Sequence, residues 1–233
     1  MLRGLFRRLF ATEPEPTPPP LADTVADAGL GFGYKTGWIT VRSDSPDAVL
    51  AALGADSIVP CTWRRGMARV EAELGPVTRV FATPAKDGHV CLVLGMQGAM
   101  EYDAPIAEMF ARLEVLSKRF GRVAYFGSYR VVDYVAWAFA DGGRITRAFA
   151  TVQGQVQVLK GAPLPDEMVL GLPFVRGQTE DALSEALYAQ APGEGAFPNE
   201  EMPLILAAAT GVDPRSFDGS ELGLGRLAIF PAD

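Results

Sequence analysis

The sequence predicts an α+β fold, a mainly antiparallel sheet with helices packed on one face, reached through a Pro-rich N-terminal spacer. Three observations carry this. Arg122–Lys160 is a near-continuous series of strand patterns separated by turn residues, which is an antiparallel meander. Ahead of it the patterns run strand, helix, two strands, helix, so the strands do not alternate regularly with helices as in a parallel sheet. Ahead of those, Glu13–Pro20 (EPEPTPPP) holds five prolines in eight residues, which favours an extended spacer over a proline-rich ligand for an adaptor domain.

Taken in order, Met1–Phe10 has the pattern of a basic amphipathic helix. Leu2, Leu5, Phe6 and Leu9 share one face, while Arg3, Arg7 and Arg8 point elsewhere. The arginines interrupt it before the apolar core of a signal peptide can form. Such a segment suits weak contact with an anionic inner-membrane surface. The domains expected are therefore 1–20, helix plus linker, and 21–233, a single α+β domain.

Phe32–Val41 reads as a strand entered through Gly29, Gly31 and Gly33. Ser45 caps a helix with Pro46 at its first position, running to Leu53 and stopped by Gly54. Trp63–Leu74 is a short helix or an irregular segment. Val77–Thr83 and His89–Gly95 form a hairpin with Asp87-Gly88 in the turn. Pro105–Phe120 repeats Ile106, Met109, Phe110, Leu113, Leu116 and Phe120 at helical spacing and ends at Gly121.

The meander opens with Val123–Tyr129. In Val131–Ala140, Val131, Val135, Trp137 and Phe139 face one way and Val132, Tyr134, Ala136, Ala138 and Ala140 the other. Asp141-Gly142-Gly143 turns into Arg144–Val152, which carries Ile145 and Phe149 on one face. Gln153-Gly154 turns into Gln155–Leu159. Beyond Lys160 the chain is broken by prolines, with helices over Thr179–Gln190 and Met202–Ala209 and a final edge strand over Leu222–Phe230.

Composition bounds function. With 48% apolar and 21% charged residues the chain is an ordinary globular one. Its net charge of −7 argues against nucleic acid as a partner, because phosphate binding needs a basic face. From Gly161 onward twelve Asp or Glu stand against three Arg and no Lys, a balance that attracts a basic protein.

His89 is the single histidine, and Cys61 and Cys91 are far apart in sequence, so neither a histidine triad nor a tetrahedral metal set is implied. No cofactor is implied either. In Gly31–Gly37 (GFGYKTG) Tyr34 precedes Lys35 and a strand follows, so the spacing fails a phosphate-binding loop. Asp133, in an otherwise apolar strand, is expected to pair with Arg130, Arg144 or Arg147. Trp63-Arg64-Arg65 combines residue types favoured at protein interfaces and is the expected partner-binding group.

FGYKTGWITVRSDSP (Phe32–Pro46) and GRVAYFGSYRVVDYVAWAFADGGRITRAF (Gly121–Phe149) resemble stretches of uncharacterised bacterial α+β proteins, some of them immunity-like partners of polymorphic toxins. The resemblance spans Leu30–Gly161 and carries no catalytic motif. It implies a non-enzymatic protector; joined to the acidic C-terminal third, the expected function is a cytoplasmic binding protein that inhibits a toxin of basic charge. An enzyme using carboxylates and arginines on a small polar substrate, and a peripheral membrane adaptor, are the alternatives.

Overall fold

Thr36–Arg42 (β1) is apolar or β-branched on both sides, as a strand covered on both faces must be. In the computed structural model, which describes residues 22–72, 78–98, 106–190 and 196–230, β1 is the middle strand of a nine-stranded sheet. The others are Ser57–Cys61 (β2), Arg79–Ala82 (β3), His89–Gly95 (β4), Val123–Tyr129 (β5), Tyr134–Asp141 (β6), Arg144–Val152 (β7), Gln155–Lys160 (β8) and Gly225–Ile229 (β9). Their order is β2-β9-β3-β4-β1-β5-β6-β7-β8, and every neighbouring pair is antiparallel.

The α+β class and the antiparallel meander β5 to β8 are those expected. The helices, however, cover both faces of the sheet and not one. Pro46–Ala52 (α1) and Ile106–Phe120 (α3) bury Val49, Leu50, Met109, Leu113 and Leu116 against Ile39, Val41, Leu92 and Tyr125. Ala136, Ala138 and Ala140 face that same side, and their small side chains let α3 lie close over β5, β6 and β7.

The opposite side is aromatic. Trp38, Phe81, Phe126, Trp137 and Phe149 meet Met67 and Val70 of Trp63–Glu71 (α2), Leu183 and Leu187 of Glu180–Tyr188 (α5), and Leu204 and Leu206 of Glu201–Thr210 (α6). The short Pro165–Met168 (α4) lies on this side too, through Glu167.

Five further expectations change in detail. β2 was not foreseen. It makes β9 an interior strand, paired to β2 at Val59–Leu227 and to β3 at Phe81–Leu227, where an edge strand was expected. Within the expected Trp63–Leu74, residues Trp63–Glu71 are a helix, α2, capped from outside by Asp27. Arg130–Val132 is a 3-10 turn that places Asp133 in the left-handed region (φ 47°), so β6 starts only at Tyr134. Finally, a bulge in β7 opposite Phe139 and Ala140 skips Thr146. Ile145 and Phe149 consequently face opposite sides, because one extra residue inverts a period of two.

Among the described residues no helix is long and apolar enough to cross a membrane. Met1–Phe10 and the spacer, with the membrane-surface residues Leu2, Arg3, Leu5, Phe6, Arg7, Arg8 and Leu9, lie outside the described residues.

Candidate interaction surface

The residues that the sequence offered for a site are mostly used inside the protein. Trp63 is fully buried, tilted against Phe217 at 5.2 Å and edge-on to Phe81 at 5.4 Å. Arg65 is held by Asp23 at 2.9 Å and by the carbonyl of Pro60 at 3.3 Å. Only Arg64 of the three projects freely to solvent, so Trp63, Arg64 and Arg65 form no common surface.

Asp133 is exposed in its turn. The expected ion pairs go elsewhere, Arg147 to Glu167 and Arg130 to Glu200. Burial pushes the Cys61 thiol up, opposed by the Arg65 Nε that donates to Sγ at 3.3 Å. Burial pushes Cys91 up to about 12, which leaves it a neutral core thiol at physiological pH. His89 is half-buried, and its Nδ1 lies 2.8 Å from the carbonyl of Asp87.

Two of the clefts among the described residues are lined by carboxylates. The first lies at the start of β1, a space of about 340 Å³ lined by Tyr34, Lys35, Arg130, Glu200 and Glu201. Its charges are largely answered within the protein. Tyr34 donates to Glu201 at 2.6 Å, and Arg215 bridges Glu201 at 3.3 Å and Asp213 at 2.9 Å. The hydrogen bond to Glu201 holds the Tyr34 phenol above its ordinary range. Burial would raise the Asp213 carboxyl, but the Arg215 hydrogen bonds outweigh it and hold the group low.

The second cleft lies beside α5 and is different in kind. Thr179 caps the helix by accepting from the Ala182 amide at 3.2 Å, and Glu180 and Asp181 occupy the first turn, where carboxylates are favoured. Leu183 and Leu187 fix the inner face. Ser184 clasps the helix to the sheet edge, accepting from the Val156 amide at 3.0 Å and donating to the Glu180 carbonyl at 2.9 Å.

The outer face is thereby held over a shallow cleft of about 560 Å³, lined by Gln155, Asp181, Ser184, Glu185, Tyr188 and Ala189. Asp181 and Glu185 have no ion-pair partner among the described residues.

Tyr188 stands at the end of this shelf, 57% exposed yet held in place. Its hydroxyl donates to the Gln153 carbonyl at 2.9 Å, and its ring meets Phe197 at 6.4 Å, edge to face. Gly154 lies beneath both rings at φ 75°. A Cβ there would come 2.8 Å from Phe197 and 3.0 Å from the Tyr188 hydroxyl, so the turn must be glycine for the pair to seat.

The sequence marked α5 as a helix and the region as acidic, but gave no sign that Tyr188 and Phe197 would meet over the β7–β8 turn. Fold and surface together define an α+β sheet protein with an acidic, aromatic-tipped shelf at one sheet edge. Comparison with protein-family models, curated proteins and solved structures gives no match to this chain.

Proposed function

We propose that this chain is a non-enzymatic cytoplasmic binding protein of the immunity type, whose α5 shelf covers the functional face of a basic protein, a toxin. The observation that carries it is the Tyr188–Phe197 pair, large and exposed but immobilised, beside the two unpaired carboxylates Asp181 and Glu185. An aromatic already fixed in its bound position loses little entropy on association, and tyrosine is enriched among the residues that dominate binding energy. Unanswered carboxylates around it steer a cationic partner and penalise an acidic one. The Tyr34 cleft offers less to a charged partner, since its ion pairs would have to open.

The test is capture from the native cell on the full chain and on Asp181→Lys/Glu185→Lys, followed by titration of the purified partner. A basic protein is expected, bound at least about tenfold more weakly by the charge-reversed chain and by Tyr188→Ala, with unchanged thermal unfolding and an association rate that falls with salt. A partner that is acidic, or that binds the reversed chain equally well, overturns the proposal.

A further inference from the structure

Arg147, on the strand side of the β7 bulge, is fully buried with Glu167 of α4. Its Nε donates to both carboxylate oxygens, at 2.9 and 3.0 Å, and its Nη1 donates to the Gly161 carbonyl at 3.1 Å. Glu167 is further occupied by the Trp137 indole N–H and the Leu164 amide, each at 2.6 Å. The carboxylate is saturated.

The guanidinium is not. Its Nη2 is buried without an acceptor among the described residues, and a cationic donor left so is expensive unless something meets it.

The same Arg147 lines a cavity of about 390 Å³ between the end of β8 and the loop before α5. Phe174 stacks on the guanidinium at 4.8 Å and, with Leu159, Pro163 and Val175, supplies the apolar part of the wall. Two more donors converge there. Arg176 is exposed and has no ion pair among the described residues. Gln178 uses its Oε1 to accept from the Val175 amide at 3.0 Å, which turns its NH₂ into the uncommitted end.

We propose that this cavity binds a small monocarboxylate with an apolar body, its carboxylate on Arg147 Nη2 and its charge balanced by Arg176. Arg147 and Glu167 cancel, so Arg176 leaves one positive charge to be met. A carboxylate oxygen answers the one uncommitted guanidinium nitrogen, Nη2, and an apolar tail matches Phe174 and its neighbours. Phosphate carries more charge and more oxygens than these donors can satisfy.

The test uses the ¹⁵N-labelled full chain with hexanoate and benzoate as probes and inorganic phosphate as comparator, at constant ionic strength. The Trp137 indole N–H, assigned through Trp137→Phe, ends on the carboxylate that holds Arg147 and reports on the cavity. The expected result is a saturable shift with Kd near about 1 mM for a carboxylate and at least about tenfold weaker binding of phosphate. Arg176→Ala and Gln178→Ala, both at the rim and outside the buried network, should each weaken it by about three- to tenfold. Arg147→Lys, which keeps the charge and removes Nη2, should abolish it; should that variant fail to fold, the rim variants decide.

No saturable shift, equal binding by Arg176→Ala, or phosphate binding as tightly as carboxylate overturns the proposal, the last two marking an adventitious anion only. None of these residues lies on the α5 shelf, so failure here leaves that proposal untouched.

Discussion

A single carboxylate, Glu167, ties its own short helix, through the Leu164 amide that opens it, to the Trp137 indole of β6 and the Arg147 guanidinium of β7. Trp137, Arg147 and Glu167 are all out of water, and a buried pair broken on one side leaves an uncompensated charge. Glu167→Ala is therefore expected to cost about 3–5 kcal/mol in urea unfolding. Arg215→Ala, which breaks pairs that face solvent, should cost no more than about 1 kcal/mol. Equal losses in the two variants would mean that the buried network contributes no more than a surface pair. None of this was legible in the sequence. Arg147 was read only as one of three cations that Asp133 could pair with, whereas its true partner comes from an isolated turn of helix twenty residues on. Strand periodicity says which side a residue faces, and says nothing about which loop returns to that side.

At the scale of elements, β8 and β2 are the sheet edges, and each is closed differently. Pro60 removes a donor from β2, and the Asp23 amide donates to its carbonyl at 3.0 Å. β8 is closed by α5, through Ser184 on the Val156 amide. Ser184→Ala should thus leave that amide unpaired, costing about 1–2 kcal/mol, with hydrogen exchange at Val156 accelerated far more than at Val158. Unchanged exchange at Val156 would show that the helix does not guard the edge. The strong helical pattern of α3 and the alternation of β6 made those elements readable from residues alone. β2 was not readable, since Ser-Ile-Val-Pro-Cys is short and contains the residue that argues against a strand. Because β2 was missing, β9 was assigned to an edge. Nor does an amphipathic helix show which face of a two-sided sheet it covers, so α1 and α3 could not be separated from the others.

For the molecule as a whole, the decisive stretch is the described lead-in before β1, residues 22–35, which binds one end of the sheet. Asp27 accepts from the Trp63 and Arg64 amides at 2.7 and 3.0 Å and caps α2 from thirty-six residues upstream, in place of Thr62, whose side chain makes no cap. Asp23 accepts from the Thr62 amide at 2.8 Å and pairs with Arg65. Gly29 then exchanges backbone hydrogen bonds with Ser220 and Gly219 at 2.8 and 3.0 Å, joining the lead-in to the segment before β9. The domain boundary proposed at Leu21 keeps all of these, whereas a start at Gly29 deletes both aspartates and uncovers the first-turn amides of α2. A chain beginning at Leu21 should unfold cooperatively at the midpoint of the full chain. A chain beginning at Gly29 should lose about 2–4 kcal/mol, a fall of roughly 5–15 °C in Tm for a protein of this size. Asp27→Ala in the full chain should reproduce about 1–2 kcal/mol of that loss by removing the cap alone. If the Leu21 chain is destabilised as much as the Gly29 chain, residues 1–20 belong to the folded domain and the boundary must move.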